Sequence, residues 1–423
     1  MSFERRPLLL FGLLSFPLWA AADLGEGQPL AFVEPIDQSV YQAAPYPPIE
    51  KPIQGKQFSG LQEAVSFYEK VDRSGHWEPL SDGPLLGLGD VHEQVVQLRG
   101  LLHLFGDIKE DASFFEPLEL FDLELQEALL AFQKRHGAKV DGILGPQARR
   151  LLSVPPRQRI EQLLININRQ QEFQAIAGGR YLQVNVPEYR LRLYEQGEIL
   201  LDMKTIIGRR SRQTPIFSSS VKTVVVNPSW SVPKSIAYRD ILPRWEQDKT
   251  YLSKHNLQVL SGWEIPRVIV PEDQIDLEKM YRGGEFQRLW EPPSMKNTLG
   301  RIKFQLDSNN SIYLHDTKSR SLFESDQRAF SSGCIRLEKP RMLADALMQH
   351  SNRWVPEALD PLFEDVTTHN IRLDNPIALH VTYWTAWLDE NNLLHFAEDL
   401  YRHDLIELAQ QNNENLSAEP AIN

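Results

Sequence analysis

The chain has 423 residues, 42% of them hydrophobic and 24% charged, which allows two or three soluble domains with a sizeable core. Its formal charge of −12 argues against nucleic acid as the main partner, since no general positive field would gather phosphates. Small molecules, peptides and sugars remain.

The N-terminus reads as an export signal. Arg5 and Arg6 precede an apolar run from Leu8 to Trp19 and then Ala20-Ala21-Ala22, a charged region, a hydrophobic region and a small-residue cleavage site. An uncleaved anchor is the alternative, but the run is short beside the ~20 apolar residues of a bilayer span. Residues 1–22 are therefore expected to be removed, leaving a periplasmic chain that starts near Asp23 and has no stable membrane span. Residues 23–84 combine a proline-rich lead-in (Pro29, Pro35, Pro45, Pro47, Pro48, Pro52) with a helix whose apolar positions are Leu61, Val65, Tyr68 and Val71.

A small helical unit is expected over residues 85–154. His92–Phe105 and Asp122–His136 have helical spacing, and the turns Asp141-Gly142 and Gly145-Pro146 lead to a short helix ending at Leu151-Leu152. The stretch from Ala131-Phe132-Gln133 to Val140-Asp141-Gly142-Ile143-Leu144-Gly145-Pro146 resembles the peptidoglycan-binding repeat. That resemblance implies binding to wall glycan strands; a spacer that has lost affinity is the plainer reading. Residues 155–178 then predict a second scaffold helix, with Ile160, Leu163, Leu164 and Ile167 on one face, packing on the first.

From Tyr181 the period switches to two. Leu182, Val184 and Val186 alternate with polar or half-polar neighbours, and Leu191 and Leu193 run to a turn at Gln196-Gly197, followed by Ile199, Leu201 and Met203. Val221–Val226, Ile302–Leu306 and Ser311–His315 continue a mainly-β domain over 179–405, with a helix at Met342–His350 after Pro340. Residues 230–297 interrupt it and hold four of the nine tryptophans, as a lid over a site or as a decorative subdomain. Residues 406–423 read as a polar tail. The fold class is α+β.

Chemistry concentrates at the only cysteine, Cys334. An exported chain with one thiol forms no internal disulfide, and a free thiol in an oxidising compartment is either buried and inert or kept for chemistry. In a strand, Tyr313 and His315 share one exposed face while Ile312 and Leu314 turn to the core. The turn Ser331-Ser332-Gly333 then delivers Cys334, with Gly333 permitting close approach of backbone N–H groups to a developing oxyanion. His315 would take the thiol proton, Tyr313 would orient substrate or donate to the acyl oxygen, and Arg336 would hold a carboxylate or the local backbone.

His315 followed after a loop by S-S-G-C-I-R resembles the signature of YkuD-type L,D-transpeptidases. The likeness extends over Tyr181–Pro233, including Gly208 and Thr214-Pro215, and to Tyr383–Trp387. It implies a mainly-β catalytic domain with a lid, and a large exported subgroup carrying a peptidoglycan-binding module. It also implies a cysteine acyl-enzyme on stem tetrapeptides, release of D-alanine, 3-3 cross-links, and trapping by carbapenems. Serine replaces the family's frequent histidine at Ser332, where it is expected to help hold the base through its backbone carbonyl; the Gly333 and Cys334 amides are expected to form the oxyanion hole. No metal or cofactor is called for.

Competing readings are a serine enzyme on Ser231-Val232-Pro233-Lys234 and Ser308-Asn309-Asn310, lacking a K-T-G, and a papain-like endopeptidase using His350, His380, His395 or His403. Zinc hydrolysis at His92-Glu93 lacks a second histidine. L,D-carboxypeptidation and a silent wall-binding protein complete the set.

Overall fold

The structure, a computed structural model, describes residues 55–108, 117–262, 266–276, 280, 287–307, 312–349 and 359–418. The expected export signal, most of the lead-in, Trp263, Ser308, Ser311 and His350 lie outside them.

Five helices come first: α1 (Leu61–Ser74), α2 (Glu93–Leu104), α3 (Leu123–Arg135), α4 (Pro146–Leu152) and α5 (Pro156–Gln174). Local chemistry sets their starts. The imidazole of His92 accepts from the Gln94 amide at 3.1 Å, the carboxylate of Asp122 accepts from the Leu125 amide at 2.8 Å, and Pro146 and Pro156 occupy first turns. As expected, α1 packs along α5. The predicted stripe of α5 needs correcting, because Leu164 is 49% exposed while Arg159, Leu163 and Asn166 are buried. Arg159 is tolerated there because its guanidinium lies 4.3 Å from the centroid of the Phe396 ring.

The residues that suggested a peptidoglycan-binding repeat are held by one another. Gln133, 2% exposed, donates to Asp141 Oδ1 at 2.9 Å and to the Ile143 carbonyl at 3.1 Å. Its own carbonyl oxygen accepts from the amides of Asp141 and Gly142. One buried amide thus stitches the V-D-G turn to α3, satisfying groups that would otherwise cost about 1–3 kcal/mol each. These motif residues specify the module's fold; a ligand must be met by other side chains.

The sheet domain comprises β1 (Arg180–Asn185), β2 (Arg190–Glu195), β3 (Glu198–Gly208), β4 (Phe217–Val226), β5 (Trp230–Ser231), β6 (Gln258–Ser261), β7 (Val268–Val270), β8 (Gln287–Glu291), β9 (Ile302–Leu306), β10 (Leu314–His315), β11 (Ala329–Ser331), β12 (Ile335–Leu337) and β13 (His369–Thr382). The main sheet runs β11-β3-β12-β10-β9-β4-β13-β1-β2, and β2 also pairs with β3, so the long β3 closes the sheet on itself. Gln196 and Gly197 take φ of 53° and 91°, which makes the tight hairpin turn between β2 and β3. Ile199 continues the alternation of Leu201 and Met203 but is 36% exposed, because the register slips between Leu193 and Tyr194 and turns it outward. Leu182, Val184, Leu191, Leu193, Met203, Val224, Phe304, Leu314 and Ile335 fill the enclosed core, against which the helix Pro340–Met348 buries Leu343, Ala344 and Leu347.

The insertion is a body with its own core. Its strands pair in the order β5-β8-β6-β7 over Ile241, Leu242, Trp245, Leu252, Val259 and Leu289. It leaves and rejoins the main sheet at adjacent points, since Trp230 pairs with Glu291 and Ser231 with Trp290.

Two expectations at the C-terminus are overturned. The hairpin of β14 (Ala386–Leu388) and β15 (Leu394–Phe396) belongs to the helical core, not the sheet domain: Ala386, Leu394 and Phe396 pack among the side chains of α1 to α5. Arg135 reinforces the joint by pairing with buried Asp107 and donating to the Leu394 carbonyl at 2.9 Å. The supposed polar tail begins as a helix, His403–Ala418. Arg169 of α5 holds it through Asp404 at 2.6 Å and Glu407 at 2.8 Å. The module of residues 85–154 therefore shares its core with both ends of the described chain.

Candidate active site

Strand pairing brings the predicted residues together. β10 and β12 run parallel with Leu314 opposite Ile335 and His315 opposite Arg336, and the Ile335 amide donates to the Tyr313 carbonyl at 3.2 Å. Cys334 and Tyr313 thus lie side by side just ahead of the two strands, with the Leu314–Ile335 pair between them and the His315–Arg336 pair. The Tyr313 backbone amide and hydroxyl both hydrogen-bond the Cys334 sulfur.

The expected exposed face is corrected. His315 is 4% exposed, and its Nδ1 donates to the Asp316 carbonyl at 2.5 Å. A carbonyl only accepts, so the proton sits on Nδ1 and the Nε2 lone pair is left to take a proton. Burial, joined by the Arg336 charge, pushes the imidazole down to about 3. Burial also pushes the Cys334 thiol up, against the opposing effects of Tyr313, Lys303 and Arg336. At rest the pair is therefore a neutral thiol and a neutral imidazole.

Tyr313 is oriented from the insertion. The Trp230 indole N–H donates to its hydroxyl oxygen at 3.0 Å, so the phenolic proton is free to point to the sulfur. Burial pushes the phenol up, which keeps it a donor.

The turn before Cys334 departs from expectation in two ways. The Gly333 amide donates to Ser331 Oγ at 3.0 Å, and Ser331 Oγ donates onward to the Cys334 carbonyl at 2.6 Å. Ser331, buried at 2%, is the brace of the turn, and the Gly333 amide is spent on it instead of facing an oxyanion. The Ser332 hydroxyl is taken up elsewhere. Its hydroxyl accepts from Arg212 at 3.0 Å and Arg209 at 3.3 Å, and Arg212 also pairs with Asp240 of the insertion. The carbonyl that receives the His315 ring N–H is that of Asp316, where Ser332 was the expected source.

A second brace was hidden in Gly208 and Thr214. Thr214, fully buried, accepts from the Gly208 amide at 2.9 Å and donates to the Gly333 carbonyl at 2.8 Å. A Cβ on Gly208 would collide with the Arg212 carbonyl and the Thr214 amide, so the chain needs glycine there. Gly333 itself has φ of 117°, open to glycine alone among ordinary residues. Thr214→Val keeps the volume but strands one buried donor and one acceptor. It is expected to cost about 2–4 kcal/mol in urea denaturation, with Thr214→Ser losing less than half of that.

Lys303 was missed from sequence. It pairs with His315 across β9 and β10, and its Nζ lies 4.1 Å from the Tyr313 ring centroid. The signal was a lone lysine in the apolar alternation of Ile302–Leu306. The rival nucleophile and bases are engaged elsewhere. Ser231 Oγ accepts from Arg288 at 2.8 Å, His380 bonds Ser218 at 2.8 Å, and His395 pairs with Asp389 at 3.0 Å. A cavity of about 620 Å³ between α5, β4, β13 and the helix His403–Ala418 contains neither Cys334 nor His315 in its lining.

Residues 179–359 match the YkuD family, described as "L,D-transpeptidase catalytic domain", and residues 91–152 match "Putative peptidoglycan binding domain". A curated protein of Haemophilus influenzae, "Putative L,D-transpeptidase", is 35% identical over 234 residues, covering 54% of this chain and 46% of its own. The chain thus matches about half the length of that relative. Solved L,D-transpeptidase structures from Xylanimonas cellulosilytica and Stackebrandtia nassauensis are each 13% identical and each cover 72% of this chain, with TM-scores of 0.22 and 0.25. The matches span 100% and 97% of those chains. The chain carries a catalytic domain of the YkuD L,D-transpeptidase family behind a domain of the peptidoglycan-binding family.

Proposed function

We propose that the protein is an exported, periplasmic peptidoglycan L,D-transpeptidase that forms 3-3 cross-links through a Cys334 thioester. The observation that carries this reading is the parallel pairing of β10 and β12, which sets the one thiol beside Tyr313 and next to a histidine whose Nδ1 proton is fixed on the Asp316 carbonyl.

Sγ attacks the carbonyl of the third stem residue while its proton passes to His315 Nε2. Negative charge grows on the carbonyl oxygen, and the Tyr313 hydroxyl, already aimed by Trp230, shifts from the sulfur to that oxygen. The intermediate collapses by breaking the bond to D-alanine, whose amine takes the proton back from Nε2. An amine from a neighbouring stem then attacks the thioester and gives its proton to Nε2. Expulsion of the thiolate, reprotonated by the same imidazole, completes the cross-link. Water in place of the amine gives the hydrolysed tripeptide, so carboxypeptidation is the side branch of one acyl-enzyme. The helical module presents the wall polymer to this site.

Intact-protein mass spectrometry with a stem tetrapeptide should show a tripeptidyl adduct on wild type. A carbapenem should leave one covalent adduct, absent from Cys334→Ala. An adduct retained in that variant would move the nucleophile elsewhere and overturn the assignment.

A further inference from the structure

His315 is the middle of a row of three. It is in register with Lys303 of β9 on one side and with Arg336 of β12 on the other. In-register neighbours on adjacent strands share a sheet face, so the two cations flank the imidazole on the face that serves the thiol. Neither forms an ion pair with a carboxylate among the described residues. Lys303 rests on the Tyr313 ring instead, at 4.1 Å, and the Arg336 Nε is buried without a hydrogen-bond partner. Burial lowers both cations' pKa, while the charge on Cys334 raises them, so each lies within electrostatic reach of the sulfur. Arg209 adds a third positive charge close to Arg336.

Half-buried cations without counter-charges are costly unless an anion completes them. The thiol is neutral at rest and does not supply that anion. A tetrapeptide donor does: its terminal carboxylate is one Cα away from the scissile nitrogen, so any receptor for it must adjoin the nucleophile.

We infer that Lys303, with Arg336, forms a carboxylate receptor beside Cys334 that restricts the donor to peptides ending in a free carboxylate one residue past the scissile bond. The inference rests on the proposed acyl-transfer reading for its substrate but not for its charge chemistry. A longer donor carries its carboxylate beyond reach, and an amidated donor has none.

The test alkylates Cys334 in the full chain at low salt with iodoacetate, which carries a carboxylate, and with iodoacetamide, which is neutral. The wild-type ratio of the two rates should exceed that of a small free thiol by about tenfold. Lys303→Met should slow both reagents by removing a charge that favours the thiolate, but iodoacetate about tenfold more than iodoacetamide, so that the ratio falls about tenfold, and Lys303→Arg should restore it. If Lys303→Met slows both reagents alike, Lys303 merely poises the thiol and the receptor is wrong. A second arm compares acylation by the tetrapeptide and by its C-terminal amide, expected to differ about tenfold in wild type and little in Lys303→Met. Equal acylation of wild type by both overturns the receptor, whereas acylation by neither overturns the acyl-transfer reading and leaves the alkylation ratio to judge the receptor.

Discussion

Serine in place of Cys334 is expected to leave a folded protein whose acyl transfer has fallen by at least about 10³-fold. The substitution keeps the size and the backbone of the turn, which is braced by Ser331 and Thr214 and not by the sulfur. It replaces a nucleophile whose proton an imidazole can take with one whose proton it takes far less readily. His315, pushed down to about 3, is a weak base, and even a raised thiol yields its proton to such a base far more readily than a hydroxyl does. The same shifts set the pH dependence. With the imidazole lowered and the thiol raised, the thiolate is scarce at neutral pH and grows as pH rises. Iodoacetamide alkylation of wild type should climb about tenfold per pH unit up to pH 9, with no plateau below neutrality. A flat profile between pH 5 and 7 would mean a preformed thiolate–imidazolium pair and would overturn the neutral resting state.

Much of the architecture was legible because local chemistry declared it. The switch from helical to two-residue periodicity near Tyr181, the turn at Gln196-Gly197 and the buried positions of β1 and β2 all follow from pattern alone. Cys334 and His315 stood out in the sequence as candidates for another reason: a single thiol after a small-residue turn, and a histidine in a strand. What stayed hidden depends on which strands adjoin. β10 is two residues long, too short for alternation to report its faces, so the burial of His315 appeared only once β9 and β12 closed over it. The carbonyl expected from Ser332 comes from Asp316, the residue after His315, while Arg209 and Arg212, more than a hundred residues before Ser332, claim its hydroxyl. The C-terminal hairpin was likewise credited to the sheet domain by sequence proximity, whereas Phe396 reaches back to Arg159, His136 and Tyr68.

Removing the insertion is expected to preserve acylation and to spoil its outcome. The chain departs at Ser231 and returns at Trp290, which face each other across an antiparallel pair. Residues 232–289 can therefore be replaced by an Asn-Gly turn with little strain. That excision keeps Trp230, and with it the orientation of Tyr313, and keeps the buried Glu291 whose carboxylate receives the Thr298 amide at 3.0 Å. It deletes the body that Asp240 ties to Arg212, beside the hydroxyl of Ser332 next to the nucleophile turn. A thioester without that cover meets bulk water, and hydrolysis then competes with the acceptor amine. On a defined tetrapeptide, tripeptidyl-enzyme should still form at a rate within about tenfold of wild type, while the ratio of cross-linked dimer to free tripeptide falls by about tenfold or more. The opposite replacement, Asp240→Ala, removes only the tie and should lower the ratio by a smaller factor in the same direction. An unchanged ratio in a folded excision variant would show that the insertion is not a lid, and would shift the burden of excluding water to the acceptor strand itself.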